Sequence, residues 1–184
     1  MKCDRRGKDG MEFRKTTGAD VAAVCGIYDF AKRSFAQAGI PQWQEGTYPD
    51  AATVEGDIAQ GIGYVLCDGG EVVGAVALTT QGEEGYRHIF DGAWLTPLDG
   101  PYVTVHRIAV SGKHRGKGLS KRIMQEAEAL AAQRGFPSVR VDTHEQNAVM
   151  RSLLSGLGYR QCGTIILLDG DEKGAPRLCY EKLI

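Results

Sequence analysis

The chain has 184 residues, 42% of them hydrophobic, and a formal net charge of -1 from 22 Lys+Arg and 23 Asp+Glu. This length and composition suit one globular domain and exclude a disordered chain, while the balanced charge gives no general attraction to nucleic acid or to an anionic membrane. No apolar run approaches the roughly 18 residues of a membrane span, and the charged start lacks the apolar segment of a secretory signal. The five scattered cysteines favour a reducing cytoplasm over a disulfide framework.

The first predicted elements follow a polar leader, residues 1–10, that we expect to be flexible. Alternating apolar and polar residues at 11–15 predict a strand, and apolar residues with helical spacing from 21 to 35 predict a helix. Gly39 and Pro41 are expected to end that helix. A single domain is therefore predicted to begin at residue 11 and to run to residue 184.

A capped helix and a hairpin are predicted before the middle of the chain. Asp50 can cap a second, short helix. Two strands, at 63–67 and 71–80, are predicted on either side of Asp68-Gly69-Gly70, which is a strong hairpin signal. Residues 81–100 then form a long connection, and such connections in a compact domain are usually functional or mobile.

The second half of the chain alternates strands with helices. The predicted elements are, in order, a strand at 102–110, a basic glycine-rich turn at 111–118, a helix from 119 to Gly135, a strand at 138–141, a helix at about 147–157, and a closing antiparallel hairpin of strands at 161–168 and 177–183. This order indicates an α/β domain.

The turn at 111–118 has the composition of a phosphate site. Glycine permits positive φ and lets a ligand approach the backbone, and the helix that follows adds the positive end of its dipole. Such a turn suits a phosphate group. The same sequence is also compatible with a plain exposed turn whose basic residues are solvated. The order of its residues is not that of a P-loop, and its single G-x-G comes too late in the chain for a dinucleotide fingerprint.

Two linked motifs resemble those of the GCN5-related N-acetyltransferase (GNAT) family. The first is the strand Ile108-Ala109-Val110 followed by Lys113-His114-Arg115-Gly116-Lys117-Gly118 and a helix, where the family carries Q/R-x-x-G-x-G/A. The second is Asn147 with Gly158-Tyr159 at the family's spacing. The order of elements from about residue 11 to 183 is also similar, and His106 to Val110 together with Asp142-Thr143-His144 resembles a bacterial branch of the family.

The resemblance implies a fold and a co-substrate. The fold is a mixed, mainly antiparallel seven-stranded sheet flanked by helices on both faces, and the co-substrate is acetyl-CoA. Its pantetheine arm should pair with the backbone of residues 108–110, and its pyrophosphate should lie on the N–H groups of the turn. The implied cofactor-binding residues are Ile108, Ala109, Val110, Lys113, Arg115, Gly116, Lys117, Gly118, Leu119, Ser120 and Asn147. Asn147 can also serve as a helix N-cap.

One departure from the family pattern concerns the general acid. Leu154 stands where many members carry the Tyr that protonates the leaving thiolate, so that role cannot be carried over. A thiol with a pKa near 8.5 leaves tolerably well without strong acid help. The departure therefore argues for a different acid or for none, with Tyr28 and Tyr159 as substitutes that can equally be core aromatics.

Three residues are candidates for catalysis. His106 is the first choice for the base that takes a proton from the amine, because imidazole titrates near neutral pH; a hydrogen-bonded core histidine is the alternative. Asp142 can orient a histidine, act as the base, or pair with Arg107 or Arg140 across adjacent strands. His144 can belong to the acceptor pocket or to a helix cap. Their spacing matches no zinc-binding helix pattern, so we predict no metal site.

Aromatic residues in two loops are candidates for binding the acceptor. Trp43 and Tyr48 follow the first helix, and Trp94 lies in the long connection, so that together they can flank the acyl site with a partly apolar pocket. A loop tryptophan can also simply anchor its loop to the core. The same loops carry carboxylates that can attract a cationic amine or stay solvated, namely Glu45, Glu83 and Glu84.

The predicted function is acetyl-CoA-dependent acetylation of a primary amine of a small molecule, such as an amino acid or a polyamine. The amine is expected to attack directly in a ternary complex, with backbone N–H groups near residues 108–110 polarising the thioester carbonyl. The alternatives are a protein or peptide amine as acceptor, or a non-catalytic CoA-binding sensor module. We expect a cytoplasmic enzyme without nucleic-acid or membrane partners, and the family resemblance makes a homodimer an option.

Overall fold

The computed structural model describes residues 5–6 and 10–184. The strands are β1 (Arg5–Arg6), β2 (Met11–Lys15), β3 (Gly63–Asp68), β4 (Glu71–Thr79), β5 (Val103–Val110), β6 (Ser138–Thr143), β7 (Arg160–Ile166) and β8 (Pro176–Leu183). The helices are α1 (Val21–Gln37), α2 (Ala51–Ala59), α3 (Leu119–Gln133) and α4 (Ala148–Gly156), with short 3₁₀ turns at Gly18–Asp20, Glu84–His88 and Gly112–His114. Within the described residues, none of the helices is both long and apolar enough to cross a membrane.

The described strands form one mixed sheet in the order β1-β2-β3-β4-β5-β6-β8-β7. Only the pairing of β5 with β6 is parallel, and the other neighbours are antiparallel. Seven of these strands are the predicted ones, so the predicted fold class is confirmed. The additional strand is β1, which lies within the predicted leader; residues 1–4 and 7–9 of that leader lie outside the described residues, and its flexibility stays a prediction.

Local signals in the sequence set the element boundaries. Asp50 caps α2, because its Oδ1 accepts a hydrogen bond of 2.9 Å from the N–H of Thr53. Gly69 and Gly70 have φ values of 57° and 90°, which is the left-handed backbone that a two-residue hairpin turn between β3 and β4 requires. Gly39, with a φ of 68°, follows α1 as predicted.

The helices cover the two faces of the sheet in separate pairs. Side chains of α3 and α4, among them Ile123 and Leu154, pack with Val105 and Val141 in one apolar cluster. Side chains of α1 and α2 pack with alternate residues of the same strands, such as Val65, in a second cluster. Because successive side chains of a strand point to opposite faces, the two clusters lie on opposite sides of the sheet.

The long connection between β4 and β5 covers the part of the sheet that α1 and α2 leave open. Tyr86 and Trp94 from this connection pack with Tyr102, Cys162 and Cys179 in a third apolar cluster. The connection is therefore an ordered wall of the domain, and it stands opposite α2 across the centre of the sheet.

Candidate active site

A cleft opens in the sheet where β5 and β6 separate. Among the described residues, these two strands pair only through Val103 with Val139 and Thr104 with Arg140. From Val105 onward, the edge of β5 that faces β6 has no strand beside it, so its backbone N–H and C=O groups are free for an extended ligand. The pantetheine arm of acetyl-CoA has this extended shape, and the edge of β5 fits it.

A β-bulge in β5 lies at the centre of the cleft. The register between β4 and β5 passes from the pair Ala75–Ala109 to the pair Ala77–His106, so β5 has one extra residue at this point. Arg107 has a φ of 53°, a backbone conformation that a non-glycine residue keeps only where its surroundings hold it. Because of the bulge, His106 and Arg107 follow each other in sequence yet both line the cavity described next.

A cavity of about 650 Å³ lies over the cleft. Its floor is formed by β5 and β6, one wall by α2 and the loop between α1 and α2, and the other wall by residues 83–86 and the loop between β7 and β8. The N–H of Trp43 donates a hydrogen bond of 2.8 Å to Glu172 Oε1, and Asn147 Nδ2 donates one of 3.1 Å to Gln42 Oε1. These contacts join the first wall to the opposite side and bridge part of the cavity, which otherwise opens to solvent.

His106, the predicted base, is held by a carboxylate in this cavity. Its Nε2 lies 2.9 Å from Glu83 Oε1, and Thr79 Oγ1 donates to the same oxygen over 3.1 Å. Burial is the largest single influence and raises the pKa of Glu83, but the hydrogen bonds with His106 and Thr79 and the electrostatic attraction of His106 and Arg107 together hold that pKa below its usual value. Since an ionised carboxylate can only accept, Nε2 of His106 is the nitrogen that donates in this contact.

Arg107 is fastened on the other side of the cavity. Its guanidinium donates to both carboxylate oxygens of Asp57, over 2.6 and 3.2 Å, and its Nη1 donates to the hydroxyl oxygen of Tyr48 over 3.0 Å. The Arg107 and Asp57 side chains are only 13% and 9% exposed. This bidentate pair ties the bulge of β5 to α2 and to the loop that carries Tyr48.

Asp142 faces the cavity from β6 and has a neutral partner. Its Oδ1 accepts a hydrogen bond of 2.8 Å from the hydroxyl of Tyr86, and burial raises the pKa of Tyr86 well above its usual value, so this phenol keeps its proton. The predicted pairing of Asp142 with Arg107 or Arg140 is wrong, because Arg107 is bound to Asp57 and Arg140 to Glu181. Asp57 comes from α2, and Glu181 comes from β8, the strand paired with β6 beside Arg140.

The residues before α4 form its cap. Asn147 Oδ1 accepts from the N–H of Met150 over 3.1 Å, and Asn147 also lines the cavity, so the N-cap interpretation holds beside the cofactor-binding one. His144 Nδ1 accepts from the N–H of Gln146 over 3.1 Å and is not among the described residues that line the cavity. The structure therefore favours a cap-like role for His144, whose pKa burial lowers. Within the described part of the chain, no group of His, Cys, Asp or Glu side chains is placed to hold a metal ion.

The predicted acceptor-binding aromatics divide into two kinds. Trp43 and Tyr48 line the cavity, with their rings packed edge to face. Trp94 does not reach the cavity; its indole N–H donates to the carbonyl of Tyr86 over 2.9 Å, and its ring lies 4.3 Å from the guanidinium of Arg140. The prediction for Trp94 is therefore corrected: it anchors the long connection to the core.

The glycine-rich turn has the geometry of an anion site. Gly118 is the N-cap residue of α3 with a φ of 72° and no side-chain cap, which leaves the first N–H groups of the helix open to a ligand. A Cβ on Gly116 or Gly118 would meet nothing within 4 Å, so the space above the turn is free. Lys113, Arg115 and Lys117 are exposed around it. The turn therefore fits the pyrophosphate of acetyl-CoA.

The side chains of the remaining predicted cofactor residues mostly serve the core. Leu119 is buried in the cluster under α3, and Ala109 is buried in the cluster under α1. Ser120, Ile108 and Val110 are half-buried. What these residues offer a cofactor is consequently their backbone, as the family resemblance implies.

The position of the usual general acid is closed to the site. Leu154 is fully buried in the core beneath α4, and neither Tyr28 nor Tyr159 is among the described residues that line the cavity. The phenols that do line it are Tyr48 and Tyr86. The two substitutes that the sequence offered are therefore core aromatics.

Sequence reasoning missed Asp57 and the partnership of Glu83 with His106. One signal was present for Asp57, since it stands three residues after Val54 on the apolar face of a predicted helix, where a charge needs a partner. No comparable signal marks Glu83, because its neighbours in the sequence are polar loop residues that are usually solvated.

The comparisons with known proteins agree with this geometry. The model of the Acetyltransferase (GNAT) family matches residues 26–159. A GNAT-family acetyltransferase from Streptococcus agalactiae is 30% identical and superposes with a TM-score of 0.86 over 98% of this chain and 99% of that chain. The yncA protein of Salmonella typhimurium, solved with acetyl-CoA, is 19% identical, with a TM-score of 0.65 over 95% and 94% of the two chains.

A curated relative gives a shorter match. N-acetyltransferase family 8 member 2 of Rattus norvegicus is 28% identical over 105 residues, which are 57% of this chain and 41% of that protein. The match therefore spans less than half of the length of that relative.

The family model covers most of the chain, and the chain belongs to the GNAT family. It is accordingly an acetyltransferase, and acetyl-CoA is its co-substrate.

Proposed function

We propose that this enzyme acetylates a primary amine of a small molecule, such as an amino acid or a polyamine, by direct attack in a ternary complex. The observation that carries the proposal is the cavity at the separation of β5 and β6, with the His106–Glu83 pair on its floor. A GNAT enzyme needs a base at this place, because a protonated amine cannot attack a thioester.

The shape of the cavity supports a small acceptor over a protein or peptide. Its volume of about 650 Å³ lies within the range of roughly 300–1,000 Å³ that is usual for small-molecule sites. The hydrogen bond between Trp43 and Glu172 bridges the two walls, where a peptide-binding groove would stay open along its length. Trp94 takes no part in this bridge.

The chain's own residues have separate parts in the proposed mechanism. Acetyl-CoA supplies the activated carbonyl carbon and the leaving thiolate. His106 accepts the proton of the amine at Nδ1, directly or through a water, and Glu83 stabilises the imidazolium that results. Backbone N–H groups that the bulge leaves near Ile108 are positioned to polarise the thioester oxygen. With Leu154 in place of the usual Tyr, the thiolate leaves without a phenol from α4.

The test is steady-state acetylation of a panel of small amines, in which the release of the CoA thiol measures the rate. We expect His106→Ala to lower kcat about 100-fold and to leave the Kd for acetyl-CoA unchanged, because His106 lies on the acceptor side of the cleft. His88→Ala, which removes an exposed histidine, is the matched control.

Two outcomes would contradict the proposal. Equal losses of kcat and of acetyl-CoA affinity in His106→Ala would remove His106 as the base. Failure to acetylate any small amine, with acetyl-CoA still bound, would favour a protein or peptide acceptor. The cytoplasmic location and the homodimer expected from the sequence stay predictions.

A further inference from the structure

The walls of the cavity carry many more carboxylates than cations. The lining carboxylates are Asp57, Glu83, Glu84, Asp142, Asp169, Asp171 and Glu172. The lining cations are the guanidinium groups of Arg107 and Arg177, beside the titratable His106. Because a cleft focuses the field of the charges around it, this excess selects for positively charged ligands.

Both arginines are already engaged by carboxylates. Arg107 binds both oxygens of Asp57. Arg177, whose side chain is 2% exposed, lies 2.9 Å from Glu172. The Nη2 of Arg177 has no well-aligned hydrogen-bond partner, but Glu172 offsets its charge and its side chain is almost fully buried. A ligand carboxylate that entered the cavity would therefore have to displace Asp57 or Glu172 to reach a guanidinium, and it would otherwise lose hydration without a partner.

Of the other five carboxylates, Glu83 is held by His106 and Glu84 lies near Arg87 and His88. The last three lie at two different places. Asp142 is half-buried on the floor, opposite His106 across the cleft, and its described partner is the neutral hydroxyl of Tyr86. Asp169 and Asp171 are exposed on the loop between β7 and β8. Asp171 closely approaches the opposite loop, since a Cβ on Gly46 would lie 2.6 Å from its Cγ. One negative group thus lies beside the base, and two lie at the mouth.

We propose that the acceptor is an aliphatic amine with two cationic amino groups. One group is acetylated beside His106 and Asp142, and the other is held at the mouth by Asp169 and Asp171. This inference rests on the proposed function and narrows its acceptor: it favours diamines and polyamines and disfavours amino acids, whose carboxylate has no receiving cation.

Three acceptors of similar length, compared at saturating acetyl-CoA, test the inference. They are 1,4-diaminobutane, n-pentylamine and 4-aminobutanoate, which differ at the far end by an ammonium, a methyl group and a carboxylate. We expect kcat/KM for the diamine to exceed that for the monoamine at least tenfold, and 4-aminobutanoate to be the poorest acceptor. Equal kcat/KM for diamine and monoamine, or a preference for 4-aminobutanoate, would overturn the inference and leave the proposed function standing.

A charge-neutralising variant locates the effect. The double substitution Asp169→Asn and Asp171→Asn should raise KM for 1,4-diaminobutane about tenfold and leave kcat/KM for n-pentylamine unchanged. Asp68→Asn, in the exposed β3–β4 turn, is the control for overall charge and should change neither value. An unchanged KM for the diamine in the double variant would refute the role of the mouth. If none of the three amines is acetylated but another small amine of the panel is, this inference fails and the proposed function stands. If no small amine is acetylated while acetyl-CoA still binds, both fail.

Discussion

The hydrogen bond between His106 and Glu83 joins residues that are 23 positions apart in the chain. One is on a central strand and the other on the connection that covers the sheet. In the proposed mechanism, this carboxylate orients the imidazole and leaves its other nitrogen to accept the proton of the amine. The proposed base therefore depends on a single loop residue.

Glu83→Gln should lower kcat at least tenfold, because an amide cannot stabilise the imidazolium as an anion does. Steady-state kinetics with any accepted amine would measure this, with Glu71→Gln, an exposed position at the start of β4, as the control. Wild-type kcat in Glu83→Gln would show that the imidazole is oriented by other contacts.

The same substitution has an expected pH dependence in stability. The folded protein holds the pKa of Glu83 below its usual 4.5, so ionised Glu83 contributes stability above about pH 4.5. This contribution is lost as the pH falls through the lower pKa that Glu83 has in the folded protein. Urea unfolding of the wild type and Glu83→Gln should therefore differ most at neutral pH and converge toward pH 3. A constant difference at all pH values would contradict this assignment.

At the scale of elements, the bulge of β5 depends on its tie to α2. Arg107 keeps a left-handed backbone, and its guanidinium donates hydrogen bonds to the carboxylate of Asp57 and to the hydroxyl oxygen of Tyr48. A strained residue persists where packing and hydrogen bonds over-determine it. The ion pair therefore connects the stability of the first half of the chain to the geometry of the acyl site.

Asp57→Asn should destabilise the fold by about 3 kcal/mol, because removing one partner leaves a buried charge without its counter-ion. It should also lower kcat more than it changes acetyl-CoA affinity, since the bulge lies at the acyl site and the pyrophosphate turn is remote from α2. Thermal unfolding and kinetics would be compared with Glu55→Gln, an exposed carboxylate on the same helix. Wild-type stability in Asp57→Asn would mean that the backbone alone holds the bulge.

At the scale of the whole molecule, a fully buried ion pair fastens the long connection to the sheet. Arg140 and Glu181 are both 0% exposed and lie 3.0 Å apart. Glu181 also accepts hydrogen bonds from Ser138 and from the N–H of Leu95, while the Arg140 guanidinium lies over the rings of Trp94 and Tyr102. One wall of the cavity over the β5–β6 cleft is thus anchored in the core.

Glu181→Ala should destabilise the protein by roughly 3–5 kcal/mol, because it leaves Arg140 buried and unpaired. The double variant Arg140→Met and Glu181→Leu should be much less destabilised, since it leaves no buried charge. Lys182→Ala, which breaks a partly exposed pair with Glu128, is the control and should cost less than about 1 kcal/mol. Equal losses for the single and double variants in urea unfolding would show that packing, rather than charge, anchors the connection.

Acetyl-CoA should stabilise the whole domain. The turn before α3, which is expected to bind its pyrophosphate, and the edge of β5, which is expected to bind its pantetheine arm, both lie at the centre of the fold. At a concentration of 100 times its Kd, it should add about 2.7 kcal/mol and raise Tm by several degrees. ADP, which lacks the pantetheine arm, should give a smaller shift. An equal shift with both ligands would argue that the edge of β5 does not bind the arm.

The sequence by itself determined the order of the main elements, the hairpin at Asp68–Gly70, the caps at Asp50 and Asn147 and the glycine-rich turn before α3. These features depend on contacts between residues that are only a few positions apart, so the local sequence is enough to predict them. The family resemblance added the seven-stranded fold and the co-substrate.

Only the tertiary structure decided which charged groups meet. The sequence does not show that Arg107 binds Asp57 across 50 positions or that Trp43 meets Glu172 across 129 positions. It also does not show that, of two buried tryptophans, Trp43 lines the cavity and Trp94 does not. Such partners are selected by how the strands separate and which loops pack over the opening, and a residue's type states what it can bind without stating what the folded chain brings to it.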